Sequence, residues 1–263
     1  MISRLTNLLK KYAIFPKKEL GQNFLINKSV IEKEIEFANL SKDDVVLEIG
    51  PGVGFLTELI AKQVKRVVCI EKDLNYVNLL KKELNYDNIE IIHDDALKIA
   101  WPNANKIISN IPYKISSKIM EKLSTYEFEV AIICFQKEFA LRFYVEANQK
   151  KYSHLSVFSH YYFEVQKKFL VSKNSFYPTP KVDSMVVEIK KKKREDLKDE
   201  RGFFEFTKAI FCYKRKTLRN ALMCSKKVLK IDIKIEKIEQ NYLEKKVRAL
   251  SLDDLIFIYE GQQ

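Results

Sequence analysis

Asn110-Ile111-Pro112-Tyr113 is the tetrapeptide best equipped for chemistry in this chain, and it follows a short apolar run, Lys106–Ser109. An amine conjugated to an aromatic ring is a poor nucleophile, because its lone pair is delocalised into the ring. The carboxamide oxygen of Asn110 and the main-chain carbonyl of Ile111 or Pro112 are acceptors for the two hydrogens of such an amine. Held this way, the nitrogen moves toward tetrahedral geometry and its lone pair points at an electrophile. Tyr113 supplies a ring that can stack on the substrate. No strong base is required, since alkylation itself acidifies the nitrogen. Orientation and electrostatics then carry most of the acceleration, and well-oriented pairs gain about 7–11 kcal/mol. A proline turn capped by Asn has the same local composition, so the tetrapeptide acquires meaning only from its context.

That context begins with Glu48-Ile49-Gly50-Pro51-Gly52-Val53-Gly54, which joins an apolar run to a helical pattern. Glycines at such a turn let the main chain approach a ligand closely at the carboxyl edge of a sheet. Glu71 ends the next apolar run about 20 residues on, where a carboxylate can accept two ribose hydroxyls. Asp95, in Asp94-Asp95-Ala96-Leu97, follows the third run and can accept from an adenine amino group. Nicotinamide dinucleotides and S-adenosylmethionine both use features of this kind. The dinucleotide fingerprint is Gly-x-Gly-x-x-Gly, and Phe55 stands where its last glycine would fall. Glu48, an acid beside the turn, suits a ligand carrying an ammonium and a sulfonium. These residues favour S-adenosylmethionine.

The elements that must position these groups alternate along the chain. Asp44–Ile49, Arg66–Glu71, Ile89–His93, Lys106–Ser109 and Glu129–Phe135 are short, β-branched and ended by Gly, acid or Asn, as buried strands are. Tyr162–Val171 and Ser184–Ile189 are two more, predicted antiparallel because no long helix separates them. Helical patterns cover Ser29–Ala38, Phe55–Lys62, Asp73–Leu84, Ser116–Leu123 and Lys137–Tyr144. The alternation predicts an α/β fold with a Rossmann-like, mostly parallel sheet. After Ile189 a basic run, Lys190–Arg194, and mixed charge through Arg201 read as a linker. Phe203–Leu222, Ile235–Leu243 and Ser251–Tyr259 then predict a small C-terminal all-helical domain, dividing the chain into residues 1–190 and 191–263.

The chain has 263 residues, 46% of them hydrophobic, with six Gly and six Pro, which excludes collagen-like and broadly disordered classes. No apolar run reaches the roughly 18 residues of a membrane span, and the first residues lack a secretory apolar region, so a cytoplasmic protein is expected. Cys69, Cys134, Cys212 and Cys224 show no Cys-x-x-Cys spacing and read as reduced thiols, and no His/Cys cluster predicts a metal. The net charge is +12, unevenly spread: residues 181–263 carry 21 basic and 14 acidic residues, net +7, and residues 1–180 carry 26 and 21, net +5. A polyanionic partner follows from that excess. Lys214, Arg215, Lys216 and Arg219 fall within one helical pattern, where Arg215 and Arg219 would share a face at about 100° per residue.

Taken together, these motifs resemble the adenine-N6 dimethyltransferases of small-subunit ribosomal RNA, a family related to the erythromycin-resistance methyltransferases. Gly21-Gln22-Asn23-Phe24-Leu25 is similar to the family's N-terminal motif. Glu48–Thr57, Glu71, Asp95-Ala96-Leu97 and Asn110–Tyr113 match in order and spacing. Phe176–Ser184 resembles its aromatic-and-proline motif, and Phe211–Leu222 its basic C-terminal helix. The resemblance implies that Asn23 and Leu25 contact the methyl donor from above, Gly50 lines its floor, Glu71 holds the ribose and Asp95 meets the adenine amino group. It implies that Asn110 lies between donor and target nitrogen, and that Phe176 stacks a flipped adenine against Tyr113. Ile111, where Leu is usual, and Asp94, where Gly is common, depart from the pattern. The implied activity is dimethylation of two adjacent adenosines near the 3′ end of small-subunit rRNA, in pre-ribosomal particles, by a monomer. The rivals are methylation of a large-subunit adenosine, a non-catalytic RNA-binding assembly factor that kept the fold, and DNA N6-adenine methylation.

Overall fold

Runs of Val and Ile without polar alternation need cover on both faces, and the chain builds that arrangement. The computed structural model describes residues 1–17, 21–192, 197–226 and 233–262. Its strands are β1 (Phe24–Leu25), β2 (Val45–Ile49), β3 (Arg66–Glu71), β4 (Ile89–His93), β5 (Lys106–Ser109), β6 (Val130–Gln136), β7 (Phe163–Val171), β8 (Phe176–Tyr177) and β9 (Ser184–Lys191). The helices are α1 (Ile2–Lys11), α2 (Lys28–Ala38), α3 (Phe55–Ala61), α4 (Leu74–Glu83), α5 (Ser116–Thr125), α6 (Lys137–Ala140), α7 (His154–Tyr162), α8 (Glu200–Phe211), α9 (Leu218–Ser225), α10 (Gln240–Glu244) and α11 (Leu252–Glu260).

Seven strands form one sheet in the order β4-β3-β2-β5-β6-β9-β7. β4, β3, β2, β5 and β6 are mutually parallel, and β9 runs antiparallel to β6. Strand order reverses between β2 and β5, so the carboxyl ends of β2, β3 and β5 open onto a crevice where an α/β sheet takes its ligand. Period-two alternation sorts the strand side chains. Val46, Val67, Cys69, Ile108, Ile132, Cys134 and Val186 join one core with α1, α2 and α3 and with Tyr76 and Leu79 of α4. This is the predicted Rossmann-like α/β sheet, with strand ends matching within two residues.

The chain divides into two units, Met1–Ala140 with Val165–Lys191, and Leu141–Glu164 with the chain from Lys192 on. The sequence reading placed residues 141–164 in the first unit. They group with the second because Tyr152, Val157 and Tyr161 share a core with Phe203, Phe206 and Tyr259. Within that unit the Tyr161 and Tyr162 hydroxyls both donate to the Glu200 carboxylate, at 3.0 and 2.8 Å. The expected helix over Lys137–Tyr144 is one α-helical turn, α6, followed by a 3₁₀ segment, Leu141–Tyr144. Of the expected linker, residues 193–196 lie outside the described residues, while Lys190 and Lys191 end β9 and Glu200 and Arg201 begin α8.

The predicted basic helix is corrected. α8 ends at Phe211 and α9 starts at Leu218, so Lys214, Arg215 and Lys216 occupy the turn between two helices, and only Arg219 is helical. Thr217 is extended and its hydroxyl accepts from the Asn220 N–H, a helix cap that stops α9 from running backward. The Val247 and Arg248 amides donate to the carbonyls of Lys216 and Lys214, and Leu218 donates to Lys245. Main-chain bonds to a distant segment thus replace the helical ones, and the shared face of Arg215 and Arg219 does not exist.

Candidate active site

The crevice at the strand ends holds a cavity of about 300 Å3 with four walls. The first is the glycine turn after β2. Gly50, Gly52 and Gly54 have φ of +70°, +58° and +84°, a left-handed region that other residues enter only with strain. A Cβ on Gly52 would lie 2.9 Å from the Phe24 ring, so the turn and β1 approach more closely than any other residue allows.

The second wall is the end of β3. The Glu71 carboxylate accepts from the Gly52 N–H at 3.3 Å and from the Asp73 N–H at 2.8 Å. A carboxylate has about four acceptor directions, so two remain for hydroxyls of a ligand. Burial raises the pKa of Glu71 above the ordinary carboxylate value, against the pull of those two amides. Asp95, after β4, accepts from the Leu97 N–H at 3.0 Å and from Lys72 Nζ at 2.9 Å. The Leu97 amide, and then the Lys72 ammonium, hold its pKa below the usual value. Glu48 also lines the cavity, and burial pushes it up to about 8.

The third wall is Asn110–Tyr113, after β5. Asn110 Nδ2 donates to Glu34 Oε2 of α2 at 2.9 Å, and Asn110 Oδ1 is buried with no protein partner. The Tyr113 hydroxyl and Ser184 Oγ of β9 share a hydrogen bond of 2.6 Å, which fixes the ring. Burial pushes the Tyr113 phenol up to about 12, so it stays neutral.

The fourth wall is a two-stranded ribbon. β1 pairs antiparallel with β8, Phe24 opposite Tyr177 and Leu25 opposite Phe176. This pairing brings the N-terminal and the aromatic-and-proline motifs to one edge of the cavity, and both Leu25 and Phe176 are buried there. The Asn23 side chain donates to the Gly21 carbonyl at 3.1 Å. It holds the strap ahead of β1 and does not cap α2, whose N-cap position is Asn27.

Asn23, Leu25, Gly50, Glu71, Asp95, Asn110, Tyr113 and Phe176 therefore all line one cavity. An adenosyl group attached to an amino acid fits this set. There are spare acceptors at Glu71 for hydroxyls, a glycine turn whose main chain lines the cavity, and a buried acceptor on Asn110 without a protein partner. Among the described residues no cluster of three or more His, Cys, Asp or Glu is placed to hold a metal ion.

The four basic residues belong to the second unit. Lys214 Nζ is committed to the carbonyls of Tyr152 and Lys150, at 2.8 and 3.3 Å. Its pKa is lowered by burial first, and then by the charges of Arg142, Arg215 and Arg248. Arg219 reaches Gln240 at 2.7 Å and Glu244 at 3.6 Å, and Lys216 lies over the Tyr213 ring at 5.4 Å. Arg215 is exposed. Sequence reading missed Arg142 and Arg248, which no local pattern joins to the turn.

It also missed Glu34. A signal for it was present: Ile31, Ile35 and Ala38 mark the buried stripe of α2, and Glu34 stands on that stripe, three residues after Ile31. An acid on a core face needs a partner, and here that partner is Asn110.

Comparison with known proteins agrees with these features. A family model described as ribosomal RNA adenine dimethylase matches residues 16–260. A protein of Pyrococcus abyssi named probable ribosomal RNA small subunit methyltransferase A is 45% identical over 239 residues, 90% of this chain and 87% of that one. The crystal structure of a dimethyladenosine transferase from Plasmodium falciparum is similar with a TM-score of 0.79 and 28% identity, covering 91% of this chain and 98% of that one. The 23S rRNA methyltransferase ErmE shares the fold, with a TM-score of 0.64 and 24% identity over 91% of this chain and 99% of that one.

Proposed function

Since the chain belongs to the ribosomal RNA adenine dimethylase family and is an S-adenosylmethionine-dependent rRNA adenine dimethyltransferase, we propose that its targets are two adjacent adenosines near the 3′ end of small-subunit rRNA, each dimethylated at N6. The observation that carries the amine-methylating chemistry is the buried, unpartnered Oδ1 of Asn110, a residue that lines the cavity together with Tyr113 and Phe176. An orphaned acceptor is costly unless a substrate hydrogen reaches it. The rRNA of pre-ribosomal particles is the natural setting, since an unstacked loop base is flipped at low cost. We assign the enzyme to the cytoplasm as a monomer. Among the described residues no helix is long and apolar enough to cross a membrane.

When bound, S-adenosylmethionine supplies an electrophilic methyl group. The rest of the mechanism is the work of this chain's side chains. Glu71 accepts the ribose hydroxyls, Asp95 accepts from the donor's adenine amine, and Gly50 lets the main chain lie close. Leu25 and Asn23 cover the site and exclude water. Tyr113 and Phe176 stack the target base. Asn110 Oδ1 accepts one N6 hydrogen and the main-chain carbonyl of Ile111 or Pro112 the other, which aims the lone pair. The nitrogen carries a positive charge once alkylated, so its proton then leaves to solvent without a strong base. The relative named probable ribosomal RNA small subunit methyltransferase A, at 45% identity, supports this target over a large-subunit adenosine.

The test is incubation with labelled donor and undermethylated small subunits, followed by mapping. Label on two neighbouring adenosines is the expected result, and label on large-subunit RNA alone would exclude it. The second unit is assigned to RNA docking, through Arg215 and Lys216 with support from Lys214, Arg219, Arg142 and Arg248. Replacing Arg215 and Lys216 by Glu should flatten the log–log salt dependence of subunit binding by about 1.4–1.8 units, at roughly 0.7–0.9 per lost phosphate contact. Donor affinity should not change, and an unmoved salt slope would remove this turn from the interface.

A further inference from the structure

We propose that Glu34 is a positioning residue for Asn110: its carboxyl holds Nδ2 and so leaves Oδ1 as the end of the side-chain amide that no protein group occupies. This rests on the reading above, that Asn110 receives the target amine. A carboxamide has two unlike ends on one planar group. With Oδ1 inward, it accepts a hydrogen from the amine and leaves the lone pair free. With Nδ2 inward, it points hydrogens at the amine's hydrogens, or ties up the lone pair that must attack. The second orientation is inhibitory.

The geometry selects the first. Asn110 Nδ2 donates to Glu34 Oε2 at 2.9 Å across 76 residues of sequence. Glu34 is 1% exposed and stands on the apolar stripe of α2 between Ile31 and Ile35, where a hydrocarbon side chain would pack better. Its other oxygen, Oε1, has no partner, and neither has Asn110 Oδ1. Burial pushes Glu34 up to about 8. Charged or neutral, the carboxyl keeps an oxygen that accepts from Nδ2. A buried carboxyl with so little compensation is a weak source of stability. Orientation of the neighbouring amide accounts for its presence, and Asn110 lines the cavity while Glu34 stands behind it.

Two variants and two readouts test this. Glu34→Leu removes the acceptor and keeps the volume, and Glu34→Gln keeps one carbonyl acceptor. Single-turnover methyl transfer should fall on the order of ten- to hundredfold in Glu34→Leu, the range that a small misplacement costs. Donor Kd should be unchanged and Tm equal or higher. A purely structural role moves rate and Tm down together. Glu34→Gln should stay near the wild-type rate, and Glu34→Ala serves as a second acceptor-free variant. The other readout needs no turnover. With Asn-selective 15N labelling, the Asn110 side-chain amide, assigned by its loss in Asn110→Ala, should exchange slowly in wild type and Glu34→Gln and rapidly in Glu34→Leu. Wild-type turnover in Glu34→Leu, equal loss in Glu34→Gln, or an unprotected amide in the wild-type protein each overturns the proposal. A wild-type enzyme inactive on small subunits would sink the RNA reading instead, and the amide exchange alone would then decide the role of Glu34.

Discussion

Asn110→Ala should lower kcat for methyl transfer on the order of 10²–10³-fold, the cost of removing one preorganised polar group at a reacting centre. The loss falls on kcat because the bond to the target amine matters most where the nitrogen is becoming tetrahedral. The rest of the donor's cradle, Gly50, Glu71 and Asp95, is untouched, so donor affinity should move little. The variant also leaves Glu34 buried without its amide, which costs stability but not the fold, since a neutral carboxyl is tolerable there. Rapid-quench measurement on unmethylated subunits, with calorimetry for the donor, separates these effects. Wild-type turnover in this variant would remove Asn110 from the chemistry.

Glu71→Ala has the second largest expected effect, on binding. Two hydroxyl hydrogen bonds to a carboxylate are lost, each worth about 1.5–3 kcal/mol, so donor Kd should rise on the order of hundredfold or more. The amides of Gly52 and Asp73 lose their acceptor as well, so the glycine turn loosens and a lower Tm should accompany the change. Glu71→Gln keeps one acceptor oxygen and should fall between. The sign with pH follows from burial, which raises the pKa of Glu71. Bound hydroxyls favour the ionised carboxylate, so donor affinity is full above that pKa and falls as pH drops through it, earlier than for an exposed acid. Titration calorimetry across pH checks this, and an affinity that does not weaken on acidification would point to a ligand contact other than Glu71.

The sheet and the cavity floor were legible because each strand is a local pattern. Val and Ile runs ended by Gly, acid or Asn mark the parallel strands, and Arg66–Glu71, Ile89–His93 and Lys106–Ser109 begin and end where that pattern does, although Ile89–His93, expected to be buried, is the edge strand and none of its residues is fully buried. Glu71, Asp95 and Asn110 follow from their places at or just past those ends. What was not legible is long-range. The Lys214–Lys216 turn contains no Gly or Pro and its residues are good helix formers, so the capping Thr217 after it is the one local interruption of the helical period. The bonds to Val247 and Arg248 complete the break. In the same way, Tyr152, Val157 and Tyr161 leave the first unit because of partners some 50 residues on in α8. Glu34 was visible as an acid on an apolar stripe, but its partner, Asn110, was not.

The pairing of β1 with β8 has a consequence in time. Leu25 meets Phe176, so 176 − 25 = 151 residues separate the two halves of the ribbon. At about 5–20 residues per second of synthesis, roughly 8–30 s pass between the appearance of one half and that of the other. Contacts at such separation also close late during refolding, after the local helices and neighbouring strands. The glycine turn and Glu71 are therefore made long before the cavity acquires its last wall. A nascent chain cut before Phe176 carries much of the donor's floor without its cover, so capture of donor should begin only when translation has passed Tyr177. The ribbon makes a working pocket the mark of a nearly finished first unit.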